Sequence, residues 1–168
     1  MEKKERASWL CRYRLSKYDE DIKAYRGNED EFHHLFKPYE VMEREGNVLL
    51  NIGIDEIWDL VTGASSDYFN NANAQIGVGD SSTAANASQT DLQAATNKTY
   101  KGMESGYPTS TAQKVTFKSS FGSSEANYAW NEWVVKQSSS AICLNRKAES
   151  LGTKSAGTWT LEVDITLS

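Results

Sequence analysis

The side chains that could do chemistry are few in this sequence, and they are scattered. His33 and His34 stand beside Glu29, Asp30 and Glu31. Imidazoles among carboxylates could ligate a divalent cation, but neither a His-Glu-x-x-His spacing nor paired cysteines occur. Adjacent histidines in so charged a stretch read as solvated side chains. With only two histidines in the chain, imidazole acid–base catalysis is not expected either. Gly77-Val78-Gly79-Asp80 begins like a phosphate-binding loop but lacks the third glycine and the crossover helix of a dinucleotide site, so it reads as a tight turn ending a strand. Asp80, Ser81 and Ser82 could offer oxygens to Ca²⁺, yet the repeated acidic spacing of a calcium loop is missing and a side-chain-to-backbone turn is expected. Asn86-Ala87-Ser88 and Asn97-Lys98-Thr99 fit the glycosylation pattern, but no secretory signal accompanies them.

Glu132 is the most informative carboxylate. It lies between Trp130 and Val134 on a strand pattern, and an isolated buried charge is very costly, so it needs a partner. Arg146 or Lys147 is the candidate, and the pair Glu132–Arg146 is expected to be structural. No nucleophile, base or second carboxylate stands in an evident relation to it. No enzyme, cofactor or metal is expected.

The elements that position these residues follow from periodicity. Leu50, Ile54, Ile57, Trp58 and Val61 recur at helical spacing, which predicts a helix over 47–62 with Asn47 as N-cap and Gly63 as its left-handed end. Gly53 in its middle marks a close backbone approach. The polar stripe Asn51, Asp55, Asp59 is narrow, so the helix is expected to be buried under later strands. Ala74–Val78 reads as a short extended piece, and Ser81–Thr96 as a small-residue tract too polar to bury much. Period-two alternation predicts strands at Ser8–Ser16, Pro38–Met42, Val115–Phe121, Tyr128–Lys136, Ile142–Arg146 and Thr158–Leu167. In Tyr128–Lys136 it sets Trp130 and Trp133 on opposite faces. The sum is a mainly β, jelly-roll-like antiparallel β-sandwich with one buried helix.

Composition bounds the rest. A chain of 168 residues supports one domain, with five Trp and eight Tyr to fill a core. A net charge of −5 argues against non-specific binding to nucleic acid or to an anionic membrane. No apolar run is long enough to span a bilayer, and Met1–Glu5 opens no signal peptide. Cys11 and Cys143 form no disulfide framework, which suits free thiols in a reducing cytoplasm. Residues 1–46 hold ten of the eighteen basic and eleven of the twenty-three acidic residues. That shift divides the chain into a charged N-terminal arm, 1–46, with one or two strands, and a sandwich body, 47–168. Within the arm, the charged and aromatic stretch Lys17–Phe36 suits either a segment lying on a neighbouring molecule or a solvated loop folded back on its own body.

The body carries a resemblance. Gly46-Asn47-Val48-Leu49-Leu50-Asn51-Ile52-Gly53-Ile54, then Ala74-Gln75-Ile76-Gly77-Val78-Gly79-Asp80, then Thr116-Phe117-Lys118-Ser119-Ser120-Phe121, Asn131-Glu132-Trp133-Val134-Val135 and Leu144-Asn145-Arg146-Lys147 resemble, in order, small virion structural proteins of tailed bacteriophages. The order is also similar to the N-terminal domains of tail-fibre and tail-collar proteins. The resemblance implies a structural protein made in the host bacterial cytoplasm and incorporated in the virion. On one reading it is a capsid decoration (cement) protein, a homo-oligomer taken as a trimer, that clamps major capsid subunits. On another it is a tail-fibre or baseplate adaptor. A carbohydrate-binding host-attachment module is a third reading, for which exposed tryptophans would be the signature. Partner contacts are then expected from the arm: Trp9, Arg12, Tyr13, Arg14, Phe32 and Phe36, with neither nucleic acid nor membrane involved.

Overall fold

Alternation of apolar and polar side chains builds the strands and decides which face each one buries. The computed structural model describes residues 7–168. In chain order its strands are β1 (Trp9–Tyr18), β2 (Glu40–Glu45), β3 (Val48–Leu49), β4 (Ala74–Gly79), β5 (Lys98–Gly102), β6 (Thr109–Thr111), β7 (Lys114–Phe121), β8 (Ala129–Gln137), β9 (Cys143–Thr153) and β10 (Thr158–Leu167). Two α-helices interrupt them, α1 (Glu29–Leu35) and α2 (Asn51–Thr62), with a single 3-10 turn at Ile22–Tyr25. All strand pairs are antiparallel and form two five-stranded sheets, β2-β1-β10-β7-β6 and β3-β9-β8-β4-β5. The chain is a β-sandwich. It crosses between the sheets after β2, β5, β7 and β9.

The core lies between the sheets. Cys11, Tyr13 and Leu15 of β1 stand opposite Ile165, Val163 and Leu161 of β10, and β10 in turn sets Val163 and Trp159 against Phe117 and Phe121 of β7. From the other sheet come Ile76, Val78, Trp130, Trp133, Val135 and Leu151. Trp130 meets Phe121 and Trp159 edge to face at centroid distances of 4.8 and 5.0 Å. The first sheet is closed at one corner by Ser8 and Ser168, whose backbones exchange hydrogen bonds in both directions. Among the described residues no helix is long and apolar enough to cross a membrane.

Three expectations are corrected. First, the described part of the 1–46 segment is not an arm; residues 1–6 lie outside the described residues. β1 is an inner strand, flanked by β2 and β10, and its inward side chains belong to the core. Of the charged residues that suggested an arm, Arg12 and Arg14 are the outward half of β1, a consequence of period-two geometry, and most of the others lie in the segment between β1 and β2 or on β2 itself. Second, α2 starts at Asn51. Asn47 does not cap it, because its Oδ1 accepts the Trp9 indole N–H at 3.0 Å. Nor is the helix buried all round: Ile54, Trp58 and Val61 are exposed. Gly53 decides this, since a methyl group there would overlap the Leu144 carbonyl of β9, and only that face can lie on the sheet. Third, Trp130 and Trp133 both enter the core, because the pairing of β8 with β9 slips between Trp130 and Glu132. The tract 81–96 is laid over the outer face of the second sheet and buries little, as its polarity predicts, with Leu92 and Ala94 the buried residues.

Residues 19–36 fold back on the body. Tyr18, Ile22 and Phe32 form a small cluster of their own, with Tyr25 and Phe36 against it. Thr158 accepts the Ile22 N–H and donates to the Glu20 carbonyl. Arg26 reaches the Ser120 carbonyl at 2.9 Å and Glu125 at 2.8 Å.

Deleting residues 1–36 removes Tyr13, Leu15 and the strand pairing of β1. Each such buried side chain contributes about 1.5–3 kcal/mol, and the sum is comparable with the roughly 5–15 kcal/mol margin of a whole domain. We therefore expect the truncated chain to lose its cooperative urea transition. A folded truncation would show that β1 is dispensable.

Candidate functional site

Glu132 on β8 and Arg146 on β9 point out of the second sheet into the tract that covers it, and both side chains are fully buried. Arg146 donates to Glu132 Oε2 from Nε at 2.8 Å and from Nη2 at 2.7 Å. Glu132 also accepts two backbone N–H groups, Gln93 at Oε2 (2.8 Å) and Ala94 at Oε1 (2.7 Å). Arg146 also donates from Nη1 to Gln89 Oε1 and from Nη2 to the Thr83 carbonyl, both at 2.9 Å. Every polar contact beyond the pair itself is thus made to the tract 83–94. Gly79 belongs to the same construction: a Cβ there would lie 2.5 Å from Glu132 Oε1 and 3.1 Å from the Ala94 methyl. The glycine reads as room for a carboxylate.

Asp91 anchors the tract a second time. It accepts Tyr100 Oη at 2.6 Å, Lys136 Nζ at 2.5 Å and its neighbour's N–H from Leu92 at 2.8 Å. Burial alone would raise its carboxyl, but the Lys136 ammonium and the Tyr100 hydroxyl outweigh that and hold it below the usual carboxylate range. Burial, reinforced by Asp91, pushes the Tyr100 phenol up.

The histidine stretch is also absorbed. His33 Nε2 sits 2.9 Å from Glu104 Oε1, and its Nδ1 lies 3.1 Å from Tyr18 Oη. Glu104 is nearly fully buried and has Lys118 Nζ at 3.3 Å and the Ser120 hydroxyl as further partners. Its burial favours the neutral acid, yet the His33 hydrogen bond and the Lys118 charge prevail and lower its pKa. His34 stays outside this network.

The residues expected to bind a partner do not form one surface. Tyr13 is in the core, edge-on to Trp133 at 5.0 Å, and Phe32 is fully buried. Phe36 packs on the Phe32 cluster, and half-buried Trp9 is tied to Asn47. The expectation of aromatic anchors in an arm is corrected: period two turns Tyr13 of β1 inward, and α1 with its C-cap packs Phe32 and Phe36 on Tyr18, Ile22 and Tyr25. Arg12 and Arg14 are exposed and paired with Glu45 at 3.0 Å and Glu43 at 3.6 Å. With Arg44, Glu162 and Asp164 they line a shallow depression of about 450 Å³ on the outer face of the first sheet. Its charges alternate in sign and largely satisfy one another.

The exposed face the sequence reading missed is on α2. Ile54, Trp58 and Val61 form one stripe, the first 38 %, the second 61 % and the third 70 % exposed. The signal was present in Gly53. At about 100° per residue, these three side chains lie roughly 80–140° around the helix from Gly53, whereas Ile57 and Leu60 lie beside it. Once Gly53 must touch the sheet, the stripe must face away.

Cys11 and Cys143 are both free and buried. Burial pushes the Cys11 thiol up to about 12, and burial together with Asp91 raises Cys143 as well. Comparison with protein-family models, with curated proteins and with solved structures gives no match.

Glu132→Ala leaves a buried guanidinium unpaired and frees Gln93 and Ala94, so we expect a loss of about 3–5 kcal/mol in urea unfolding. Limited proteolysis within 83–94 should accelerate in the same variant, and a change near zero in both would disprove the structural role of the pair. The thiols predict a pH dependence. In the unfolded chain they ionise near their ordinary value of 9.0, while the folded state retains its protons to higher pH. Their contribution is therefore complete below pH 9 and declines as pH rises towards 12. Urea midpoints compared at about pH 8 and about pH 10.5 should fall, and the fall should be shallower in a Cys11→Ala/Cys143→Ala variant.

Proposed function

We propose that this protein is a structural component of a tailed-bacteriophage particle, a decoration protein that binds the outside of the capsid and braces neighbouring major capsid subunits. The observation that carries this reading is where the motifs of the resemblance meet. Of the five motifs one, Thr116–Phe121, lies in β7 of the first sheet, while the other four, Gly46–Ile54, Ala74–Asp80, Asn131–Val135 and Leu144–Lys147, supply β3 with the start of α2, β4, part of β8 and part of β9. These strands are neighbours in one sheet, and the Glu132–Arg146 pair lies among them. The likeness is thus concentrated on residues that build a shape, as suits a protein whose work is to hold one.

Side chains that could react are engaged in the same way. Glu132, Asp91 and Glu104 are each held by several partners, and both thiols are sealed in the core. The mechanism is binding without chemistry, with the major capsid protein as partner and the virion as location. Repetition over a symmetric lattice adds avidity to weak single contacts. A sugar-binding module would carry tryptophans on an open sheet face, whereas Trp130, Trp133 and Trp159 are inside and Trp58 stands on a helix.

The test is sedimentation of the purified protein with purified empty capsids and, separately, with purified tails. We expect many copies to pellet with each capsid. Pelleting with tails alone would replace this reading with that of a tail-fibre or baseplate adaptor, and pelleting with neither would overturn the virion assignment.

A further inference from the structure

The open stripe of α2 has the form of a docking surface. Ile54, Trp58 and Val61 follow one another at four- and three-residue steps, so they stack along one face of a twelve-residue helix. The helix is held rigidly beneath them. Gly53 lies against the Leu144 backbone, and buried Glu56 accepts the Ser65 hydroxyl at 2.8 Å and the Gln137 amide at 3.0 Å. A face fixed in this way loses little freedom on binding. A tryptophan flanked by aliphatic side chains is the residue set that dominates the binding energy of helix-in-groove complexes.

Charge identifies the occupant. Asp55 and Asp59 are exposed, Asp55 about 60° round the helix from Trp58 and Asp59 a step further on the same flank, and α2 contains no lysine or arginine. A second copy of the helix would bring only carboxylates to meet carboxylates. We infer that this face docks into an apolar groove edged with lysine or arginine side chains on a different protein. The inference stands apart from the virion reading, because neither the stripe nor its acidic edge depends on which particle or complex supplies the groove.

The experiment uses the whole protein and two probes of stated chemistry. One is an amphipathic leucine–lysine peptide of about four helical turns, and the other is its leucine–glutamate counterpart. Each is titrated by calorimetry into the wild type, Trp58→Ser and Asp55→Lys/Asp59→Lys. All three positions are exposed, so the variants should keep the wild-type unfolding transition. If the double variant does not, Asp55→Asn/Asp59→Asn takes its place. We expect saturable binding of the lysine peptide, about tenfold or more weaker in each variant, and no binding of the glutamate peptide. Failure of the lysine peptide to bind, equal binding of both peptides, or wild-type affinity in Trp58→Ser would each overturn the proposal. So would a concentration-dependent dimer in sedimentation velocity that Trp58→Ser abolishes, since the occupant would then be a second copy.

Discussion

The path of the tract over the outer face of the second sheet depends first on one buried ion pair. Two full charges withdrawn from water are tolerated only when their remaining lone pairs and protons are also satisfied. Neither β8 nor β9 can do that, because their backbone groups are committed to the sheet. The partners must come from elsewhere in the chain, and the tract of serine, threonine, alanine and asparagine supplies them from its backbone and from Gln89. The dependence runs both ways. A stretch with no helix or strand between Asp80 and Asn97 takes one path because its N–H and C=O groups have fixed addresses below it. Small residues suit that task, since a bulky side chain would hold the backbone away from the pair.

The first sheet solves a comparable problem with Glu104. The segment between β1 and β2 is rich in charge, yet its aromatic side chains form a private cluster and its polar ones reach the body: Asp21 to Ser123, Arg26 to Glu125, Glu29 to the Ser105 N–H and His33 to Glu104. Glu104 collects His33, Lys118 and Ser120 at a site with almost no solvent. In both sheets, then, irregular chain is attached by a buried carboxylate that serves several donors. Against this background α2 is the exception, an element that packs Ile52 and Ile57 on the body yet leaves Ile54, Trp58 and Val61 exposed.

Period two made most of the sandwich legible. β10 spans the residues its alternation marked, and β1 and β7 differ from expectation only at their ends. The Glu132–Arg146 pairing followed from the cost of burying a lone carboxylate. Period two also limited what could be read. It describes which residues share a face but not which strand lies next door, so the charge concentrated in 1–46 passed for an arm although Tyr13 and Leu15 of β1 lay in the core. It assumes an unbroken ladder, so the slip that brings Trp130 and Trp133 to the same side was invisible. The tract carried no periodic signal at all, because its position is set by hydrogen bonds to residues about 40 to 60 positions away in sequence. Helical periodicity gave α2 its length to within a few residues but not its orientation. Gly53 held that information, once its close approach was taken as the direction of the sheet.

The backbone link between Ser8 and Ser168 has a mechanical consequence. β1 and β10 run antiparallel with Trp9 opposite Leu167, so Ser8 and Ser168 lie side by side at one corner. Tension applied between them loads that ladder one rung at a time, as when a zipper is opened from its slider. Tension across the sheets, or between a chain end and α2, meets many hydrogen bonds and the interlocked core together. The fold is therefore anisotropic in strength, weakest when peeled from its termini and strongest when pressed or sheared through its faces.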